Sequence, residues 1–343
     1  LLFAPPPATA ICCYENKEVL RVLYPEISPH QSGWLSRDDG HEIYWEEVGN
    51  PSGIPVIFLH GGPGAGISPN SRRFFDPEKY RVILFDQRGA GKSRPFGSLE
   101  NNTTDHLIGD IEALRENRGI DQWLVFGGSW GSTLALAYGQ ACAERVIGFV
   151  LRGIFLGTEA EIKWFMDGMG RFFPEAEQRF LDAAGFKENP GFQALLDRYA
   201  DIFANKDGEE TAIHAARVWS AYEATCCTLL PDDGLVEDFE GDQIALALAK
   251  LEHHYFVHRC FFEEGQLIAN VDRIAHLPIV IVQGRYDVVC PPVSALALHQ
   301  AWPGSALVIV DDAGHAASPE SFVSLSARPT GLMGNILRKI AIT

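Results

Sequence analysis

Residues 123–138 restrict what this chain can fold into more than any other stretch. They open with the apolar run Trp123-Leu124-Val125-Phe126 and pass through Gly127-Gly128-Ser129-Trp130-Gly131. They continue as Ser132-Thr133-Leu134-Ala135-Leu136-Ala137-Tyr138, which has good helix propensity. A G-x-S-x-G between strand and helix is the pattern of a nucleophile elbow. The sharp turn strains the backbone at Ser129, and Gly127 and Gly131 remove the Cβ atoms that would clash there. The hydroxyl then stands at the C-terminal edge of a sheet, above a helix N-terminus whose dipole favours developing negative charge.

The rest of the chain supplies that sheet. A Gly-containing hairpin is predicted over residues 32–45, and Val56-Ile57-Phe58-Leu59 reads as a strand buried on both faces. This strand feeds His60-Gly61-Gly62-Pro63-Gly64-Ala65-Gly66, a loop of the kind that supplies an oxyanion-hole N–H. Further strands are predicted at 81–85, 145–151, 277–284 and 306–310, with a helix over 103–119. Between 157 and 265 the apolar runs give way to helical spacing rich in aromatic and acidic residues, too long for a loop. The expected organisation is an irregular N-terminal arm (1–30), a core in two parts (31–156 and 266–343) and a helical cap (157–265).

Two more reactive groups follow strands. Asp287 lies just past the 277–284 strand, and His315 just past the last one. The order Ser, Asp, His is that of the α/β-hydrolase fold, a doubly wound, mostly parallel sheet. A serine hydroxyl is a weak nucleophile at neutral pH and needs a base with a third group to orient it. Ser129 is therefore read as nucleophile, His315 as base and then acid, and Asp287 as the orienting carboxylate. His60 is expected to brace the glycine loop, while Asp311 and Asp312 sit too near His315 on one connection to replace Asp287. The oxyanion is assigned to the backbone N–H groups of Trp130 and Gly62. Asp86 and Arg88 are expected to pin their loop as a pair. Gly91-Lys92-Ser93 lacks the upstream glycine of a phosphate-binding loop, since that position is Asp86.

Composition narrows the partners. With 28 basic against 45 acidic residues the formal charge is −17, which disfavours nucleic acid and anionic membranes and suits a cationic substrate. The seven cysteines show no CxxC metal spacing and no disulfide framework, so free thiols in the cytoplasm are expected. The first residues carry no basic segment before Pro5-Pro6-Pro7, which argues against a signal peptide, and no apolar run reaches bilayer-spanning length.

His60-Gly61-Gly62-Pro63-Gly64, Asp86-Gln87-Arg88-Gly89, Gly127-Gly128-Ser129-Trp130-Gly131-Ser132-Thr133-Leu134, Leu151-Arg152-Gly153-Ile154-Phe155 and Gly284-Arg285-Tyr286-Asp287 together resemble the proline iminopeptidase (prolyl aminopeptidase) family, over about residues 24–317. The resemblance implies removal of N-terminal proline from short peptides without a metal or cofactor. It also points to Glu223 and Glu252 as carboxylates that bind the substrate amine; without it, each reads as a solvated helix-face charge. Phe155 and Phe165 match positions flanking the pyrrolidine ring, with Phe165 where a tyrosine is expected, and Cys290 is a bystander thiol near the acid loop. After His315 the family continues with an acidic helix, whereas this chain has an atypical tail in which only 332–342 keeps helical character. The residues leave open an esterase or broader aminopeptidase on the same fold, or a catalytically dead binding homologue. Serine at the elbow excludes epoxide hydrolase and dehalogenase chemistry, which uses aspartate there.

Overall fold

The computed structural model describes residues 23–316; the atypical tail and most of the N-terminal arm lie outside them. Gln31–Ser36 (β1) and Glu42–Gly49 (β2) form an antiparallel hairpin. Ile54–Leu59 (β3), Tyr80–Phe85 (β4), Thr104–Asn117 (α1), Trp123–Ser129 (β5), Trp130–Ala141 (α2) and Val146–Ile154 (β6) follow. The chain then turns helical through Glu159–Asp167 (α3), Pro174–Ala183 (α4), Phe192–Phe203 (α5), Glu209–Cys227 (α6), Asp233–Glu240 (α7) and Asp242–Val257 (α8). It returns to the sheet with Gln266–Ala269 (α9), Ile279–Gly284 (β7), Pro292–Ala301 (α10) and Ala306–Val310 (β8).

The eight strands are ordered β1-β2-β4-β3-β5-β6-β7-β8. β1 and β2 run antiparallel to their neighbours and the others are mutually parallel. After β3 the chain moves to one side of the sheet, and after β5 to the other. The loops leaving these adjacent strands therefore diverge, and a crevice opens above their C-terminal ends, where ligands bind in such sheets.

Alternation along each strand explains the unbroken apolar runs. Ile57, Ile83, Val125, Leu151 and Ile281 point to one face, against Leu107, Ile111 and Leu114 of α1 and residues of α2 and α10. Val56, Val82, Leu124, Val150 and Val280 point to the other. Strands buried on both faces read as continuous hydrophobic segments. The helices between β6 and β7 have an aromatic centre of their own: Trp219 of α6 lies 4.9 Å from Tyr199, 5.4 Å from Phe180 and 5.6 Å from Phe165 between ring centroids. These rings belong to the same buried cluster as the first face of the sheet.

Candidate active site

β5 is buried along its whole length and ends at Ser129, which takes φ 57° and ψ −129°. A non-glycine residue held there stores roughly 1–3 kcal/mol of strain. Because α2 starts at the next residue, the Trp130 N–H is among the first-turn donors that have no acceptor within the helix. A Cβ at Gly131 would collide with the Leu59 carbonyl, so only glycine lets α2 close against the end of β3. Ser132 Oγ donates to the Ser129 carbonyl at 2.7 Å and accepts from the Phe155 N–H at 3.2 Å, tying the elbow to the chain just past β6.

The glycine loop after β3 lies against this elbow. His60 accepts the Gln87 N–H at Nε2 (3.0 Å) and donates from Nδ1 to the Gly61 carbonyl (2.8 Å). Burial pushes its imidazole down to about 4, so it is neutral near pH 7. Gln87 also donates to the His60 carbonyl and accepts from Trp130 Nε1 at 2.8 Å. One glutamine thus connects the glycine loop to the residue after the nucleophile, with Gly62 in the loop at φ 102°.

Past β7 and β8, Asp287 and His315 meet. Both are buried, and His315 Nδ1 stands 2.9 and 3.0 Å from the two Asp287 carboxylate oxygens. A carboxylate only accepts, so Nδ1 carries the hydrogen and Nε2 keeps its lone pair. Asp287 also accepts from Gln283 Nε2 at 2.9 Å and from the Cys290 N–H at 2.7 Å. Gln283 spends its remaining capacity on the Cys290 carbonyl and the Ile154 N–H. The imidazole sits beside Gly153, where a Cβ would lie 3.1 Å from His315 Cε1, and the next residue, Ile154, pairs with Ser129 across β5 and β6. Arg152 Nη1 donates to the His315 carbonyl at 2.6 Å. Ser129 Oγ makes no hydrogen bond among the described residues, a common state of a site whose serine–histidine contact tightens around substrate.

Glu223 of α6 and Glu252 of α8 are 5% and 1% exposed, not solvated charges. The two carboxyl groups interact with each other, and Glu252 Oε2 accepts from Trp219 Nε1 at 2.6 Å. Glu223 Oε2 is buried with no hydrogen-bond partner among the described residues. Burial pushes both carboxyls above the ordinary carboxylate range, with His315 acting on Glu223 in the opposite direction, and Glu223 lies one turn before the Cys227 carbonyl that accepts the His315 N–H. Two buried carboxyls with one orphaned oxygen form a site that a cationic hydrogen-bond donor would satisfy.

Aromatic rings pack around Trp219, the donor to Glu252. Phe155 follows β6, and its ring centroid lies 6.2 Å from that of Phe256. Phe165 of α3 lies 5.2 Å from Phe256 and 6.2 Å from Tyr222. Cys290 is buried, which pushes its thiol well above the ordinary range and keeps it protonated.

Asp86 and Arg88 do pin their loops, but not by pairing with each other. Asp86 accepts the Ile67 and Lys92 N–H groups, with burial raising its carboxyl to about 6. Arg88 holds Asp110 through Nε (2.6 Å) and Nη2 (2.8 Å), and also pairs with Asp39. Gln87 and Gln283 had no role in the sequence reading. The available signal was a carboxamide inside or just past an apolar strand, where a buried polar group must be bonded.

A cavity of about 740 Å³ lies along the acid loop, lined by Trp164, Phe173, Leu229, Tyr286, Asp287 and Val288. Neither Ser129 nor the carboxyl pair lines it, so the chemistry follows the converging polar groups rather than the volume. Among the described residues no cluster of side chains is arranged to hold a metal ion, and no helix is long and apolar enough to cross a membrane.

Residues 54–226 match the family model described as alpha/beta hydrolase fold, and residues 258–325 match one described as TAP-like protein. A probable proline iminopeptidase of Leptolyngbya boryana is 52% identical over 86% of this chain and 92% of its own length. A proline iminopeptidase of Arabidopsis thaliana is 51% identical over 87% of this chain and 78% of its own. Among solved structures, an esterase from Exiguobacterium antarcticum superposes with a TM-score of 0.60 at 18% identity, covering 91% of this chain and all of that one. That likeness supports the fold alone. The chain is a member of the proline iminopeptidase family, built on the α/β-hydrolase fold.

Proposed function

We propose that this protein is a serine aminopeptidase that releases N-terminal proline from short peptides through an acyl-enzyme. The observation that carries the reading is the buried Glu223–Glu252 pair with its unpartnered oxygen on Glu223, on the helix whose last carbonyl holds the His315 N–H. An ester needs no such group. A substrate amine does, because the cationic imino group of an N-terminal proline offers two N–H donors and a charge to two acceptors. Phe155 and Phe165 then flank the pyrrolidine ring, and residues 157–265 act as the cap that brings these groups over the core.

With the amine held, the prolyl carbonyl carbon faces Ser129 Oγ. His315 Nε2 takes the hydroxyl proton as Oγ attacks, while Asp287 holds the imidazole through Nδ1 and stabilises the imidazolium. The negative oxygen of the tetrahedral intermediate accepts from the Trp130 and Gly62 N–H groups, each worth about 3 kcal/mol in the transition state. His315 returns the proton to the leaving peptide nitrogen as the C–N bond breaks, leaving a prolyl ester on Ser129. Water, deprotonated by the same Nε2, attacks the ester, and as the C–O bond breaks Nε2 returns the proton to Ser129 Oγ and free proline departs. Family membership supports the substrate, and the residue roles rest on the geometry.

The test is release of naphthylamine from Pro-β-naphthylamide beside hydrolysis of a neutral acyl ester. The parent chain is expected to cleave the amide and Ser129→Ala to lose that activity. Rapid ester hydrolysis with no amide cleavage would sink the proposal.

A further inference from the structure

The mechanism accounts for the side chain of His315 but not for what places its backbone. The His315 and Ala316 N–H groups both donate to the Cys227 carbonyl, at 2.8 and 2.7 Å. Cys227 is the last residue of α6, so this carbonyl is one of the terminal acceptors that a helix cannot satisfy internally. Glu223 sits one turn earlier on the same helix, four residues before Cys227. The approach is close: a Cβ at Gly314 would lie 2.9 Å from the Cys227 carbonyl oxygen and 3.1 Å from the Leu229 nitrogen. From the other side Arg152 holds the His315 carbonyl.

We propose that the C-terminal end of α6 positions His315, with Gly314 as the positioning residue that permits the contact. The helix presenting Glu223 to the amine is then the one that sets the base. An α-helix is stiff over a single turn, so displacing Glu223 displaces the Cys227 anchor about 6 Å further along the axis. Amine binding and base placement become one mechanical event, and Glu252, on α8, acts on the imidazole only through Glu223 and the shared amine. The coupling to the amine rests on the aminopeptidase reading; the placement of His315 by α6 does not.

Gly314 lies outside the left-handed region, so alanine strains the contact and not the backbone conformation. Gly314→Ala is expected to melt cooperatively and to lose about 10-fold or more in kcat on both Pro-β-naphthylamide and p-nitrophenyl acetate, with KM within about 2-fold. Combined with Glu223→Gln, its effect on the amide departs from multiplicative by about 3-fold or more, and combined with Glu252→Gln, which acts through Glu223, it departs by less. An unchanged kcat, or multiplicative effects in both cycles, overturns the proposal. If the glycine variant does not fold, 15N-histidine labelling of the parent chain decides. Pyrrolidine is expected to slow exchange of the His315 amide by about 3-fold or more, and Glu223→Gln to remove the slowing; exchange indifferent to pyrrolidine overturns it. Should both single glutamine variants cleave Pro-β-naphthylamide like the parent, the amine reading falls, while the ester kcat of Gly314→Ala still decides whether α6 places the base.

Discussion

Replacing Gln283 with methionine probes the least visible support of the site. The carboxamide is fully buried and serves three elements at once: Asp287 Oδ2 at 2.9 Å, the Cys290 carbonyl at 2.9 Å and the Ile154 N–H at 3.1 Å. Methionine keeps the length and the apolar contacts and removes all three bonds. The Ile154 N–H and the Cys290 carbonyl lose this partner, and each orphaned buried group costs about 1–3 kcal/mol. Asp287 keeps the Cys290 N–H and His315, so the carboxylate is loosened but not abandoned. Stability is expected to fall by about 2–6 kcal/mol, lowering Tm on the order of 10 °C. Because Ile154 pairs with Ser129 and Gly153 backs the imidazole, the loosening reaches nucleophile and base together. A misplacement approaching 1 Å lowers kcat up to about 100-fold, with little change in KM. Calorimetry and steady-state kinetics on Pro-β-naphthylamide measure both effects. A variant that melts within about 1 °C of the parent and keeps its kcat would refute the bridging role.

The carboxyl pair gives a pH prediction. Burial holds Glu223 and Glu252 above their unfolded values, so the stability they contribute is fully present below the ordinary carboxylate range and is lost as pH rises through the folded values. Tm should therefore fall less between pH 5 and 8 in Glu223→Gln than in the parent, and pyrrolidine should restore part of the parent's loss. A smaller drop in the parent contradicts the assignment. Tyr255→Phe removes the 2.9 Å bond to Asn102 Oδ1 while keeping the ring 4.5 Å from Trp130. It is expected to lower stability by about 1–3 kcal/mol and, since Glu252 lies on the same helix, to raise KM for the proline amide more than for an ester. Cys290, buried and protonated, should react with iodoacetamide only at the rate at which the chain opens; fast labelling of the native protein at pH 7 would show otherwise.

Much of this site is local in sequence and could be read there. The elbow is a strand, a strained serine and a helix in succession, and the glycine loop, Asp287 and His315 each follow a strand whose apolar run marks it as buried on both faces. The fold class follows from their order. What could not be read depends on side chains meeting over long separations. Asp86 and Arg88 are neighbours in sequence, yet one caps backbone amides while the other crosses to Asp110. The Cys227 carbonyl meets the His315 N–H across the whole return from the helices to β8. Backbone acceptors leave no mark on residue type, and a glutamine in a strand does not say which three groups it serves. Burial of Glu223 and Glu252 likewise depends on how α6 packs against α8, so spacing alone leaves them as surface charges.

The single buried cluster that runs from the sheet through Trp130 and Phe155 to Phe165, Trp219 and Phe180 bears on how the protein evolves and can be engineered. Sheet-facing and helix-borne residues pack as one continuous apolar cluster among the described residues. The helices over the site are thus not an interchangeable module. Transplanting 157–265 from a relative would replace half of a jigsaw whose other half stays behind, and close-packed interiors tolerate volume changes poorly. Chimeras should survive only when the rings that Tyr255 and Phe256 meet in the core, Trp130 and Phe155, are exchanged together with the segment. Substrate range in this scaffold would then shift by single substitutions on α3, α6 and α8 sooner than by exchange of whole caps.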